Sequence, residues 1–297
     1  MRPLFSTLLV ATSIVLAIIL ALVVLAWWNQ ERIVFQPPPP PDVAIPGWAR
    51  RVDYEASDGQ RLLGYVVAPP APTTPPGRVV VAFHGNADLA VWQLDWAHEL
   101  SRRTGATVLL AEYRGYGGLA GTPTYKTARH DADAALAFAE RALGATPAEV
   151  VVFGHSLGSG VGTELAERIA ARGAGPHALV LQSPFTSARA MARLVVVRPA
   201  WWAWNAISRV HFDSERIVRS LDAPVWVAHG ERDMIVPVRM GRAVFDAAKT
   251  KGRLLLLPRA SHNDVEMVGG EDYWEWMEGA VGEQARSERG KTVQGRS

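Results

Sequence analysis

Hydrophobic and polar positions divide the 297-residue chain into two regimes. From Leu4 to Trp28 there is no charged residue, and as a helix rising about 1.5 Å per residue this run reaches ~37 Å. A bilayer's hydrocarbon core is roughly 30 Å thick, so the run is long enough to cross it with tilt. A cleavable signal sequence carries a shorter apolar segment and then a small-residue cleavage site. This run instead closes on Trp27 and Trp28, residue types that favour the membrane boundary. A retained span is therefore expected, with the bilayer as the partner of residues 4–28. Arg2 and the free amine flank one end, while Arg32 and, further out, Arg50 and Arg51 flank the other. The expected orientation puts the short tail inside and the remaining chain on the extracytoplasmic side.

Beyond the apolar block the pattern changes. Pro37 to Pro41 reads as a polyproline spacer, extended by about 3.1 Å per residue, that holds the following domain off the bilayer. Strands are expected over Arg50 to Ala56 and Arg61 to Ala68, around the turn Ser57-Asp58-Gly59, and then over the apolar run Val79 to Phe83. Helices and strands then alternate: helix Leu89 to Arg103, strand Thr107 to Glu112, helix Tyr125 to Leu143, strand Val150 to Phe153, helix Leu157 to Ala171, strand Ala178 to Gln182. After an interruption come strand Val225 to His229, helix Val238 to Lys249, strand Arg253 to Leu257 and a last helix near Asp272 to Val281. Such alternation predicts an α/β class with a mostly parallel sheet covered on both faces. The interruption, about 186–212, carries Trp201, Trp202 and Trp204 and is the candidate cap. The expected division is an anchor over 1–30, a Pro-rich linker over 31–47, one α/β domain over 48–285 and a disordered tail over 286–297.

Composition narrows the chemistry. The net charge is +2, and Arg286, Arg289, Lys291 and Arg296 all fall in the tail, so no basic stripe points to nucleic acid. With no cysteine, thiolate chemistry, disulfides and Cys-based metal sites are excluded.

Gly154-His155-Ser156-Leu157-Gly158 follows an expected strand and opens an expected helix, the setting of a G-x-S-x-G nucleophile elbow. The glycines are needed because a serine on so sharp a turn leaves no room for side chains at 154 and 158. In this arrangement an acid follows a later strand and a histidine follows the last. Asp233, in His229-Gly230-Glu231-Arg232-Asp233, and His262, in Ala260-Ser261-His262-Asn263-Asp264, occupy those positions, with Glu231 as the competing acid. His155 reads as packing within the elbow, and His84 as structural in its loop. Backbone N–H groups for a developing oxyanion are expected from Leu157, after the serine, and from Asn86 in His84-Gly85-Asn86. Activation by a neighbouring base needs no metal and no organic cofactor.

Taken together, His84-Gly85-Asn86-Ala87, Tyr113-Arg114-Gly115-Tyr116-Gly117, the elbow, Ser183-Pro184-Phe185, Gly230 to Asp233 and His262-Asn263-Asp264 resemble the membrane-associated α/β-hydrolase-domain family. That family includes acyl-protein thioesterase-like and lysophospholipase-like members. The resemblance implies an α/β-hydrolase fold with a small cap and a serine hydrolase acting on a carboxylic ester or thioester with a lipophilic acyl group. A small-molecule or lipid-like acyl substrate is the implied partner, and the three tryptophans are candidates for lining an acyl site. Two other readings stay open: a peptidase or amidase on the same scaffold, and a catalytically silent, membrane-tethered binding module.

Overall fold

A computed structural model describes residues 2–40, 42–71, 77–195 and 208–282. Helix α1 (Arg2–Val34) contains a stretch, Val10–Val34, that is long and apolar enough to cross a membrane, its most apolar part having a mean hydropathy of 2.8. Its side chains from Val10 to Leu25 are almost all exposed, the state of a helix whose apolar surface has no protein partner. The chain meets the domain before the proline run begins, because Gln30 is fully buried and Phe35 belongs to the main core.

Eight strands form one sheet in the order β1-β2-β4-β3-β5-β6-β7-β8. They are β1 (Ala49–Glu55), β2 (Arg61–Val67), β3 (Val79–Phe83), β4 (Thr107–Ala111), β5 (Val150–His155), β6 (Ala178–Gln182), β7 (Val225–Gly230) and β8 (Lys251–Leu257). The β1–β2 and β2–β4 pairs are antiparallel, and every later pair is parallel. Strands β3 and β6 are buried along their whole length, which is why they read as unbroken apolar runs rather than alternating ones. Edge strand β1 alternates, with Val52 and Tyr54 inward and Arg51, Asp53 and Glu55 outward.

Helices cover both faces. Helix α2 (Leu94–Thr104) packs with the C-terminal helix α8 (Val265–Val281) on one face. On the other lie α3 (Tyr125–Ala142), α4 (Leu157–Ala170), the short α6 (Ser214–Val218) and α7 (Val238–Ala247). Helix α5 (Ala188–Val195) lies in the expected cap segment. Trp201, Trp202 and Trp204 lie outside the described residues. So do residues 286–297, where the tail is expected. The last helix starts at Val265 rather than near Asp272, because Gly270, at φ 50° and ψ −126°, kinks it without ending it.

A polar clamp closes the antiparallel end. Arg114 sits in the loop after β4 and donates through Nε and Nη2 to Asp131 Oδ1 at 2.8 and 2.6 Å, and through Nη1 to Asp58 Oδ2 at 2.7 Å. Asp131 is almost fully buried, so losing its partner leaves a charge in a low-dielectric setting. The substitution Arg114→Met is expected to lower stability by about 3–5 kcal/mol in urea unfolding. A loss within the scatter of surface substitutions refutes the clamp. Hydrogen bonding from Arg114 outweighs desolvation and holds the Asp58 carboxyl down to about 2. With a depressed folded value, that contribution is present above the ordinary carboxylate range and is lost as pH falls through about 2.

Candidate active site

Ser156 joins the end of β5 to the start of α4 with φ 52° and ψ −115°, a conformation that costs a residue with a Cβ about 1–3 kcal/mol. The surroundings over-determine it. Ser156 N–H donates to Gln182 O on β6 at 3.0 Å, while Ser159 donates to Ser156 O through its N–H at 2.9 Å and its hydroxyl at 2.6 Å. A Cβ at Gly154 would fall 2.2 Å from Gly158 O, and one at Gly158 only 2.1 Å from Phe83 O. Any side chain at either position forces helix and strands apart.

The loop after β8 brings His262 over this turn. Its Nε2 lies 2.8 Å from Ser156 Oγ and its Nδ1 lies 2.7 Å from Asp233 Oδ2. With a carboxylate facing Nδ1, the proton of the neutral ring belongs there, which leaves the Nε2 lone pair toward the hydroxyl. Asp233 is fixed in turn: its Oδ1 accepts the N–H groups of Ile235 and Val236 at 2.8 and 2.7 Å. Burial pushes the Asp233 carboxyl up, but hydrogen bonds from His229 and His262 outweigh it and hold the group well below the usual carboxylate range. His229 is the residue that sequence reasoning missed here. Its buried Nε2 lies 2.9 Å from Val236 O and 3.2 Å from Asp233 Oδ2, two acceptors that require the proton on that nitrogen. The competing acid, Glu231, faces away and pairs with Arg242 at 2.8 Å.

Asn86 lies in the loop after β3 and Leu157 opens α4. Among the described residues, no acceptor takes the backbone N–H of either. The Asn86 side chain is held, because its Oδ1 accepts the Tyr116 hydroxyl and the Gln36 N–H, each at 2.8 Å. Beneath the loop, His84 Nε2 meets Glu112 Oε1 at 2.7 Å, Glu112 Oε2 accepts the Ala90 N–H at 3.1 Å, and the Tyr113 hydroxyl donates to His84 O at 3.1 Å. Burial pulls the His84 imidazole down, yet the Glu112 carboxylate more than compensates and leaves it raised. Glu112, directly after β4, gave no motif signal; a charge at the end of an apolar run was the one hint in the sequence that it needs a partner. His155 packs its ring 5.2 Å from that of His262, and burial, with the His262 charge adding, pulls it down to about 3. It therefore stays neutral and is not an alternative proton acceptor near neutral pH.

A cavity of about 260 Å³ opens above Ser156. Trp92, Trp96 and Phe153 wall it, and Asp88, Gln93, Gln182 and Glu266 give it polar corners. Trp92 is 47% exposed at the mouth, an aromatic that sequence reasoning assigned to no role.

A mostly parallel sheet with helices on both faces, and a serine on a strained strand-to-helix turn, define the α/β-hydrolase class. The sequence matches the hydrolase family described as serine aminopeptidase, S33, over residues 74–220. An uncharacterized protein of Mycobacterium tuberculosis (strain H37Rv) is 34% identical over 221 residues, covering 74% of this chain and 75% of that one. Lysophosphatidylserine lipase ABHD12 of Danio rerio is 34% identical over 185 residues, covering 57% of this chain and 47% of the lipase. The chain thus matches about half the length of that lipase. Two solved structures share the fold: acetyl xylan esterase from Paenibacillus sp. R4, with TM-score 0.61 and 19% identity, covers 81% of this chain and 86% of its own. An alpha-beta hydrolase from Vibrio vulnificus, with TM-score 0.62 and 21% identity, covers 78% and 81%. The chain belongs to the α/β-hydrolase family of serine hydrolases and is an esterase- or lipase-like enzyme of it.

Proposed function

We propose that this enzyme hydrolyses a carboxylic ester or thioester bearing a lipophilic acyl group, beside a membrane, through an acyl-enzyme on Ser156. The observation that carries the reading is the hydrogen-bonded row from Ser156 Oγ to His262 to Asp233, at 2.8 and 2.7 Å. In this mechanism His262 Nε2 takes the hydroxyl proton as Oγ attacks the acyl carbon, and the Asp233 carboxylate stabilises the imidazolium. The N–H groups of Asn86 and Leu157 hold the oxyanion, each donor being worth about 3–4 kcal/mol in reactions of this kind. His262 returns the proton to the departing alcohol or thiol. Water then attacks the acyl-enzyme with His262 again as base, releasing the acid and restoring Ser156.

The apolar helix and the likeness to lysophosphatidylserine lipases support a lipid-like substrate and a single-pass membrane protein. The N-terminus is assigned to the inside and the domain to the extracytoplasmic side. Trp201, Trp202 and Trp204 are assigned to the acyl side of the site from their place in the chain between sheet strands. The test begins with a fluorophosphonate probe, expected to label Ser156 covalently, and continues with esters and thioesters graded by acyl length. A rise in kcat/KM with chain length is expected, and each tryptophan-to-alanine change that removes acyl contacts is expected to flatten it. A probe-silent, folded protein rejects the enzyme mechanism. The description of the matched family favours a second reading, cleavage of aminoacyl amides, and preference for those in the same screen replaces the ester assignment.

A further inference from the structure

The end of α1 is built into the domain. Gln30 is fully buried and its Oε1 accepts the Arg209 N–H at 2.7 Å. The Arg209 guanidinium lies 4.8 Å from the Trp27 ring and 3.6 Å from Glu31. Glu31 also accepts the Tyr125 N–H, at 3.3 Å, where α3 begins. Phe35 then enters the core. A span that serves only to tether needs no buried amide and no core aromatic, because any solvated linker after it suffices.

From this dock the chain reaches the active site. Gln36 donates its backbone N–H to Asn86 Oδ1 at 2.8 Å, on the same oxygen that takes the Tyr116 hydroxyl. The Gln36 side chain plays no part in this, since its amide turns back to Ile33 O at 2.9 Å and is exposed. Two donors converging on one carbonyl oxygen fix the Asn86 side chain, and the backbone that carries it lies in the turn facing Ser156. Ala87 follows at φ 53°, a left-handed position that does not hold itself.

We propose that the juxtamembrane segment Gln30–Gln36 is a positioning element of the active site. Docked on the domain, it clamps Asn86 through the Gln36 main chain so that the Asn86 N–H meets the oxyanion. The inference rests on the reading that this N–H is an oxyanion donor. Gln36 acts through Asn86 and touches no substrate. The anchor and the site are one unit, and undocking the anchor loosens the oxyanion loop.

The full chain in detergent micelles, assayed with a water-soluble short-chain ester, separates this from mere tethering. Gln36→Ala keeps the donor and is expected to leave kcat within about twofold, whereas Gln36→Pro removes it and is expected to lower kcat about tenfold with KM nearly unchanged. Adding Gln36→Pro to Asn86→Ala is expected to cost nothing further, since the acceptor is already gone. Thermal melts establish that each variant is folded. Should Gln36→Pro fail to fold, Phe35→Ala, which undocks the segment and keeps every backbone donor, carries the same expectation. Wild-type kcat in Gln36→Pro, or losses that multiply in the double variant, overturn the inference. Asn86→Pro, which deletes the N–H itself, tells the two failures apart. If it is inactive while Gln36→Pro is not, the clamp alone is wrong. If folded Asn86→Pro is fully active, the oxyanion assignment falls and the clamp with it.

Discussion

Ser156→Ala is expected to leave the fold intact and to lower kcat by about 10³ to 10⁶, because serine, histidine and acid act as a unit and removing one disables the others. The fold should survive for a local reason. The contacts that hold the elbow use the main chain of Ser156 with Gln182 and Ser159, and all of them remain in alanine. The only described side-chain partner lost is His262 Nε2. What persists is catalysis from oriented N–H groups and binding, still above the uncatalysed rate. Single-turnover and steady-state measurements on the same ester series decide the matter, and a variant keeping more than a tenth of the activity removes Ser156 from the mechanism.

Replacing the acid should cost somewhat less. Asp233→Asn keeps the shape but places an amide beside His262 Nδ1, so the ring can adopt the tautomer whose Nε2 carries the proton. A loss in kcat of about 10³ to 10⁴ is expected. His229 adds to the case, since its protonated Nε2 faces the same oxygen as His262 while the Ile235 and Val236 N–H groups face the other. Asparagine has one acceptor for these two pairs of donors, so its NH2 faces one pair whichever way it turns, and stability should fall as well as turnover. Glu231→Gln is the matched control: its partner is Arg242 at the surface, so turnover should stay near wild type. A larger loss from Glu231→Gln than from Asp233→Asn assigns the acid to Glu231.

The sheet was legible in the chain because most strands are buried on both faces and so appear as unbroken apolar runs, Val79–Phe83 being the plainest. Elements with weaker local signals were not. Helices α5 and α6 are short, and the paired glycines Gly269 and Gly270 hid the start of α8. The positions of Ser156, Asp233 and His262 could be read from order along the chain, since each follows a strand end. That Asp233 rather than Glu231 turns toward His262 depends on how one turn is wound. The partners furthest away in sequence were the least legible: Gln30 meets Arg209, and Gln36 meets Asn86. A polyproline run reads as a spacer wherever it occurs, and nothing local reveals that Phe35, two residues before it, is core.

Among the described residues, the non-glycine positions with positive φ are Ala87, Ser156 and Ser183, beside the ends of β3, β5 and β6. Among the described residues that backbone tension is thus gathered on one rim, the rim that bears Ser156 and the Asn86 loop. Glycine would relax Ala87 and Ser183, a relief that the greater freedom of an unfolded glycine offsets in part. Any net gain there comes from slackening the turns that surround Ser156. Durability and speed are set against each other at these positions, and improvement in one without loss of the other has to be sought in the helices on the far side of the sheet.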